Sequence, residues 1–326
     1  MKKKIVLILI LSMLVAGFSW AGGAQEDSKI ISIATAGTAG ALYPMGVALA
    51  EVLNNNIEDM TASAESSGAS LENMRNLMQG NVEWGISQNE VAFQAYDGIG
   101  PYEGKEFKEL RSLFGTLISW IQVFVPADSD IDEISDMEGK RIGVGQAGSG
   151  GEAAAKKVLS YYGLDYDSIT PEFISDSEMV NALKDGVLDG FISTHPLKSA
   201  ALLDLTTTFK VKIISVNDEG FYNEYPYYTR MTIPAGTYRG VDYPVDTPTS
   251  RIVMYTTKNL PEDIVYESMK AVWENEEDWV KVHAAVEKYT NLEDACTNLS
   301  APLHKGAAKY YEEMRVSIPS EYAPID

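Results

Sequence analysis

Two stretches of this chain share one pattern, and the repetition limits the folds open to it. Leu77-x-x-Gly80-x-Val82-Glu83-x-x-Ile86 recurs as Leu183-x-x-Gly186-x-Leu188-Asp189-x-x-Ile192. In each, an apolar helix end passes through a glycine stop into a short strand. Upstream of each lies a strand, a Gly-rich turn and a helix. The first copy opens with a strand at Ile30 and turns through Gly37-Thr38-Ala39-Gly40. It then places Leu42, Met45, Leu49, Val52 and Leu53 on one helical face. The second runs from Lys140 to Gly145, turns through Gln146-Ala147-Gly148-Ser149-Gly150-Gly151, and continues as a helix from Glu152 to Tyr162 closed by Gly163. The spacing from turn glycine to stop glycine is also close, 80 − 40 = 40 against 186 − 148 = 38. Two α/β units in tandem are expected, built on a mostly parallel sheet covered on both faces. Their ligand cleft belongs at the carboxyl ends of the strands, between the units. A Gly-rich turn opening a helix presents backbone N–H groups and the positive end of the helix dipole, which suits an anion.

The remaining elements fill in around this plan. Thr61 to Glu65 reads as a strand, Ser66 to Ser70 as a polar turn, and Ser70 as N-cap of a helix from Leu71 to Gln79. Val82 to Ile86 is a strand ending at Ser87-Gln88-Asn89, followed by a helix from Glu90 to Tyr96. Leu110 to Val125 is almost continuously apolar and reads as two consecutive strands broken at Gly115, the second leaving the first domain; a buried hairpin within a single domain is the alternative. In the second unit a strand near Pro171 to Ile174, a helix from Ser177 to Lys184 and a strand from Val211 to Ile214 follow. Tyr225 to Pro234 is an extended return path, and Ser250 to Thr256 is a further strand. Three helices finish the chain, Pro261 to Glu274, Glu276 to Tyr289 and Ala301 to Arg315. The second carries Trp279, Val282, Val286 and Tyr289 on one stripe, and the third Leu303, Ala307, Tyr310 and Met314. This tail has no Gly-rich turn of its own and is expected to fold back on the first unit. One discontinuous lobe then comprises 28–117 and 232–326, and a second lobe 118–231.

Lys2, Lys3 and Lys4 precede an apolar run from Ile5 to Phe18, with small residues around Ala21 and again at Ala24. This reads as a secretory signal peptide, residues 1–21, because the run is shorter than the roughly 20 residues a membrane span needs. Phe18 stands where a lipoprotein would carry its cysteine, so export without lipidation is expected. Cleavage after Ala21 leaves 326 − 21 = 305 residues, about two domains at roughly 150 residues each. It also removes three lysines and no acids, moving the formal charge from −21 to −24. So acidic a surface argues against nucleic acid or an anionic membrane as partner, while a small anion remains compatible through local dipoles. Cys296 is the one cysteine, so an exported chain relies on its core and not on an internal disulfide.

The residues also admit two enzyme readings. Gly143-x-Gly145-x-x-Gly148 has the spacing of a dinucleotide fingerprint, but the ribose-binding acid is represented only by Asp165 or Asp167 in a polar turn. Ser149 as an esterase nucleophile lacks the first glycine of the elbow, where Ala147 stands. His195, His283 and His304 show no metal-ligand spacing, and His283 lies off the apolar stripe of its helix, facing solvent. Tyr222, Tyr225, Tyr227 and Tyr228 fit either a ligand cleft or core packing.

Taken together, IATAGTAGALYPMGVALAEVLN, ESSGASLENMRNLMQGNVEWGISQNEVAFQAY, GKRIGVGQAGSGGEAAAKKVL, ALKDGVLDGFIS and PLHKGAAKYYEE resemble the TAXI family of TRAP-transporter solute-binding proteins. The resemblance covers nearly all of the chain after the leader. It departs from the family pattern at Ala39 and Ala41, where glycines are common, and at Lys305, where proline is. It implies an α/β periplasmic-binding-protein fold of the second type, two lobes closing on a ligand. It also implies a monomer without cofactor, metal or catalytic activity that works in the periplasm with TRAP membrane subunits. Ligands of the family include glutamate-like and 2-oxoglutarate-like acids. By position, Thr38, Ala39, Gly40 and Tyr43 form a first cradle, with Ser67, Ser70, Gln88 and Asn89 in the same lobe. Gln146, Ser149 and Gly150 form a second cradle beside Thr194 and His195, and Arg230 is the charged residue to watch. With the ribose acid missing, a nicotinamide fluorescence titration at micromolar protein is expected to show no saturation.

Overall fold

The computed structural model describes residues 29–38 and 41–325. Residues 1–21, expected to be a signal peptide, and the turn residues Ala39 and Gly40 lie outside the described residues. The first unit runs β1 (Lys29–Ala34), α1 (Leu42–Asn56), β2 (Met60–Glu65), α2 (Ser70–Gln79), β3 (Trp84–Gln88) and α3 (Asn89–Asp97). The second repeats it as β5 (Arg141–Gly143), α4 (Gly150–Tyr161), β6 (Thr170–Glu172), α5 (Asp176–Lys184), β7 (Gly190–His195) and α6 (Ala200–Thr208). The strand pairing repeats as well. β1 lies parallel between β2 and β3, and β5 lies parallel between β6 and β7.

Two long strands join the units. β4 (Leu110–Pro126) and β10 (Val245–Thr257) are antiparallel to one another. β10 borders β3, and β4 borders β7. Together with β8 (Val211–Ile214) on β4 and β9 (Thr229–Ile233) on β10, they complete a ten-stranded sheet among the described residues. The sheet is therefore mixed rather than mostly parallel. The parallel strand pairs are confined to the βαβ units, where a helix makes each crossover, and β4 and β10 pair antiparallel with each of their neighbouring strands.

Leu110 to Pro126 is one 17-residue strand, not two. Nothing breaks it, because each half has its own partners: Leu110 to Trp120 pairs with β10, and Trp120 to Phe124 with β7. Gly115 is present for another reason. A Cβ there would sit 2.1 Å from Arg251 Nε, so the glycine admits the buried arginine. Arg251 Nη1 donates to Asp294 O and Thr297 Oγ1, both at 2.9 Å. The Gly115 N–H donates to Ala295 O at 2.7 Å.

The core changes along these two strands. Leu113, Phe114 and Leu117 pack with the first unit, whereas Ile118 and Trp120 belong with residues of the second. On the return, Ile233, Tyr238, Val241 and Val245 still pack in the second unit, and Ile252 is the first of β10 in the first-unit core. On this return the packing passes from second-unit to first-unit residues within β10. The tail packs where it was expected: Val265, Met269 and Val272 of α8 (Glu262–Glu274), Trp279 of α9 (Glu276–Val280) and Tyr310 of α11 (Lys305–Glu313) share one core with Ile31 and Leu49. Trp273 and Trp279 each approach Phe114 at 5.7 Å between ring centroids.

Several boundaries differ from the sequence reading. The helix expected over Glu276–Tyr289 is interrupted, and α10 (Ala284–Tyr289) starts afresh at His283, whose ring nitrogen accepts the Ala285 N–H at 3.1 Å. His283 is exposed, as anticipated, but as a cap, and Val282 leaves the stripe at 38% exposure. α11 begins only at Lys305, because Leu303 bridges to Ser112 in extended form and His304 caps the helix. Helix α6 and the short α7 (Glu219–Glu224) were not foreseen.

Because Gly115 gives room to a buried, hydrogen-bonded arginine, Gly115→Ala is expected to destabilise the fold by about 1–3 kcal/mol, the usual range for overpacking. Chemical denaturation of the variant beside the wild type checks this.

Candidate ligand cleft

All three strands of each repeat deliver the chain to the same side of the structure, and a helix starts after each. The results meet in one cavity of about 460 Å³. Its wall includes Leu42, Ser70 and Gln88 from the first unit and Gly150, Asp176 and Ser199 from the second. These are the first residues of α1, α2, α4 and α5 and the N-caps of α3 and α6. Six helix N-termini therefore converge, three from each repeat. The first N–H groups of a helix have no partner within it, and each terminus carries roughly half a positive charge. Apolar surface from Leu42, Ile174, Met179, Ile192 and Ile252 lines the rest. Asp176 and His195 are the charged or titratable lining residues, and neither lysine nor arginine contributes.

Local hydrogen bonding fixes this wall. Ser149 caps α4 by accepting the Glu152 N–H at 3.1 Å, leaving the Gly150 and Gly151 N–H groups at the open first turn. Gln88 reaches across from the first unit. Its backbone N–H donates to Ser70 Oγ at 3.1 Å, and its Oε1 is buried without a partner among the described residues. A Cβ on Gly150 would fall 1.8 Å from that oxygen, so the glycine lets the two units touch here. On the β7 side, Ser119 Oγ donates to Thr194 O at 2.8 Å and Gln122 Nε2 to His195 O at 3.1 Å, while Tyr238 donates to Gln122 Oε1 at 2.5 Å. His195 Nε2 meets the Asp176 carboxylate directly. Desolvation pulls the His195 pKa down, but the hydrogen bond and charge of Asp176 outweigh it and hold the pKa above its ordinary value.

The structure brings seven of the expected residues to this wall: Ser70, Gln88, Gln146, Ser149, Gly150, Thr194 and His195. Ser70 is there as the first helical residue and not as the cap, a position taken by Ala69 at φ 66. The others stand elsewhere. Thr38 is exposed in the first turn, and Tyr43 is half-buried on α1. Ser67 is occupied, 2.6 Å from Asn73 Oδ1 and accepting the Ala69 N–H at 3.0 Å. Asn89 turns back into the first unit, donating to Asn298 O and accepting from Tyr255 OH at 3.1 Å. Arg230 pairs with Glu219 at 3.1 Å and with Asn217 O at 3.2 Å on the outer face of β9. Ala39 and Gly40 lie outside the described residues.

Asp176, Ser175 and Ser199 were missed. The Ser175-x-x-Glu178 capping box would have found the first two: Ser175 Oγ accepts the Glu178 N–H at 3.4 Å while Glu178 Oε2 accepts the Ser175 N–H at 2.8 Å. Asn73, also missed, ties the ends of β1 and β3 by donating to Thr35 O at 2.6 Å and Ile86 O at 2.7 Å.

A second contact between the units lies beside the cavity. The Phe93 ring of α3 meets Tyr227 at 5.0 Å between centroids. Tyr222, Tyr225 and Tyr228 pack against Phe221 and Tyr227 against Tyr225 and Tyr228, so these rings join the second-unit core and do not line the cavity. Glu90, fully buried on α3, accepts from Ser250 Oγ, and its other oxygen has no partner among the described residues. Burial pushes its pKa up against the Ser250 hydrogen bond and the charge of Lys157.

With this geometry in view, comparison with known proteins is informative. The NMT1-like family model matches residues 33–314. The chain belongs to the NMT1-like family. Among solved structures, it is similar to a TctC solute-binding protein from Polaromonas, at 14% identity over 81% of this chain and 88% of that one, with a TM-score of 0.50. It is also similar to a Xanthomonas citri protein solved bound to ATP, at 10% identity over 88% and 96% of the two chains, with a TM-score of 0.54. Likeness at such identity speaks to fold, and the fold is the mixed α/β one of periplasmic binding proteins. No described helix is long and apolar enough to cross a membrane.

The Glu90 pKa is raised on folding, so its stabilising contribution is fully present below the ordinary carboxylate value and is lost as pH rises through the raised one. Glu90→Gln is therefore expected to melt at or near the wild-type temperature in acid and progressively above it towards neutral pH. A melting series over that range reads this out.

Proposed function

We propose that this protein is an extracytoplasmic solute-binding protein. In this reading it captures a small organic acid, glutamate-like or 2-oxoglutarate-like, between two lobes and delivers it to a TRAP membrane transporter. The observation that carries the reading is the convergence of six helix N-termini, three from each repeat, on one cavity. An anionic group placed there receives backbone N–H donors and favourable helix dipoles from both units without a charged side chain. The apolar part of the wall suits a short carbon skeleton. Membership of the NMT1-like family and the likeness in fold to a TctC solute-binding protein support a carrier. The TAXI resemblance in sequence supports the TRAP partner and the choice of acids. An exported, unlipidated chain is part of the same proposal.

The polar groups in the cavity favour binding over turnover. Ser149 spends its oxygen on a helix cap, and His195 Nε2 is directed at Asp176. Among the described residues, no serine hydroxyl is hydrogen-bonded to that imidazole, so the set lacks an activated nucleophile.

A ligand held by both lobes stabilises the protein by about 2.7 kcal/mol at 100 times its dissociation constant, a melting shift of roughly 5–10 °C for a chain of this size. Thermal-shift titrations with glutamate and 2-oxoglutarate are expected to show it. Gly150→Ala should remove most of the shift while leaving the unliganded melting temperature within about 2 °C, because the clashing Gln88 amide can swing aside. A full shift in that variant would mean that the Gln88–Gly150 junction does not hold the ligand.

A further inference from the structure

The cavity is nearly free of ionisable side chains, which gives the pair it does hold unusual influence over what can enter. We propose that Asp176 and His195 form a proton-dependent charge filter: the cavity accepts a dicarboxylate only with His195 protonated, and accepts a monocarboxylate in either state. The inference rests on the acid-binding reading above and narrows it to a rule about ligand charge.

The two side chains are in direct contact and both reach the cavity, the imidazole being 44% exposed and the carboxyl 24%. The elements packed around the imidazole add no other charge. β4 contributes Trp120, register partner of His195, and Gln122, bonded to its carbonyl. The second-unit turn brings Gln146 and Ser149, and the start of α6 brings Ser199. On α5, Glu178 is turned onto Ser175 Oγ at 2.6 Å. Asp176 is thus the charge that acts on His195.

Electrostatic bookkeeping then distinguishes two states of the wall. With His195 protonated, the pair is neutral and the six helix termini set the field, so two carboxylates can be accommodated. With His195 neutral, the wall carries the uncompensated Asp176 carboxylate. One ligand carboxylate can still lie at the α4 terminus, away from it, but a second on the same short skeleton is repelled. Binding a dicarboxylate therefore draws a proton onto His195, and by linkage its affinity falls as pH rises past the imidazole pKa. The Asp176 contact raises that pKa and so moves the change above the ordinary imidazole value.

Isothermal titration of the full mature chain from pH 5.5 to 8.5 tests this, with 2-oxoglutarate and 2-oxopentanoate as probes of equal chain length that differ by one carboxylate. Both acids are fully ionised over this range. The expected result is a 2-oxoglutarate affinity that weakens towards about tenfold per pH unit above the imidazole pKa. Its binding heat should also vary with the ionisation enthalpy of the buffer, the mark of proton uptake, whereas 2-oxopentanoate shows neither effect. His195→Gln should flatten the 2-oxoglutarate profile and abolish the buffer dependence at whatever affinity it retains. Asp176→Asn should bind 2-oxoglutarate tenfold or more tighter than wild type at pH 8.5. Parallel pH profiles for the two acids, a slope unchanged in His195→Gln, or exclusion of 2-oxoglutarate at every pH would overturn the filter and leave acid binding standing. Failure of both acids to bind at any pH would overturn the acid-binding reading and the filter together.

Discussion

The first-turn N–H groups of a helix cannot be satisfied within it, and this protein collects six sets of them around one volume. The arrangement is stable only if that volume holds water or a group rich in electron pairs, so it shapes everything nearby. It explains why the wall is built from serine, threonine, glutamine and glycine. Small neutral residues let a ligand approach the backbone closely, and a lysine or arginine would compete with the ligand for the space. It also gives a chain with a formal charge of −21 a local surface that suits an anion. The diffuse surface charge is screened over about 8–10 Å of saline, whereas the helix termini act in direct contact.

The repeat supplies this geometry economically. One βαβαβα plan, used twice, gives three helix starts per copy, and the antiparallel pairing of β4 with β10 turns the copies to face a common cleft. Interdigitation replaces covalent reinforcement. β4 begins in the first unit's core and ends in the second's, and β10 does the reverse, so each unit depends on a strand half from the connection to complete its sheet. Cys296 is buried and free, in keeping with a fold held by its cores.

Much of this plan was legible in the sequence because it depends on local signals. Gly80 and Gly186 stop their helices at positive φ, as the echo between Leu77–Ile86 and Leu183–Ile192 implied. Gln88, Gln146, Ser149, Thr194 and His195 do face the cavity. What could not be read depends on partners distant in sequence. Gly115 resembled a strand break, but the residue that requires it is Arg251, and no periodicity reveals that. Asn89 and Ser67 are polar residues at the right turns whose hydrogen-bonding capacity is already spent inside the first unit. Arg230 was the charged residue to watch, yet it is exposed and paired with the neighbouring Glu219. The misjudged C-terminal helix shows the reverse case: His283 caps a helix, a role that an unbroken apolar stripe conceals.

The place where the two long strands hand the chain between cores has a mechanical meaning. Trp120 and Thr249 are register partners, so the outgoing and returning crossings lie side by side on a single rung of the ladder. Two connections at one point behave like a pin, while connections at opposite edges would behave like a pair of struts. Sliding one unit past the other would break ladder hydrogen bonds, but rotation about the rung keeps them, and the register irregularities of β10 near Arg251 and Met254 provide slack beside it. The contacts of Gln88 with Gly150 and of Phe93 with Tyr227 both join the two units, so any rotation about that rung would act on the cleft wall and on this aromatic contact at once.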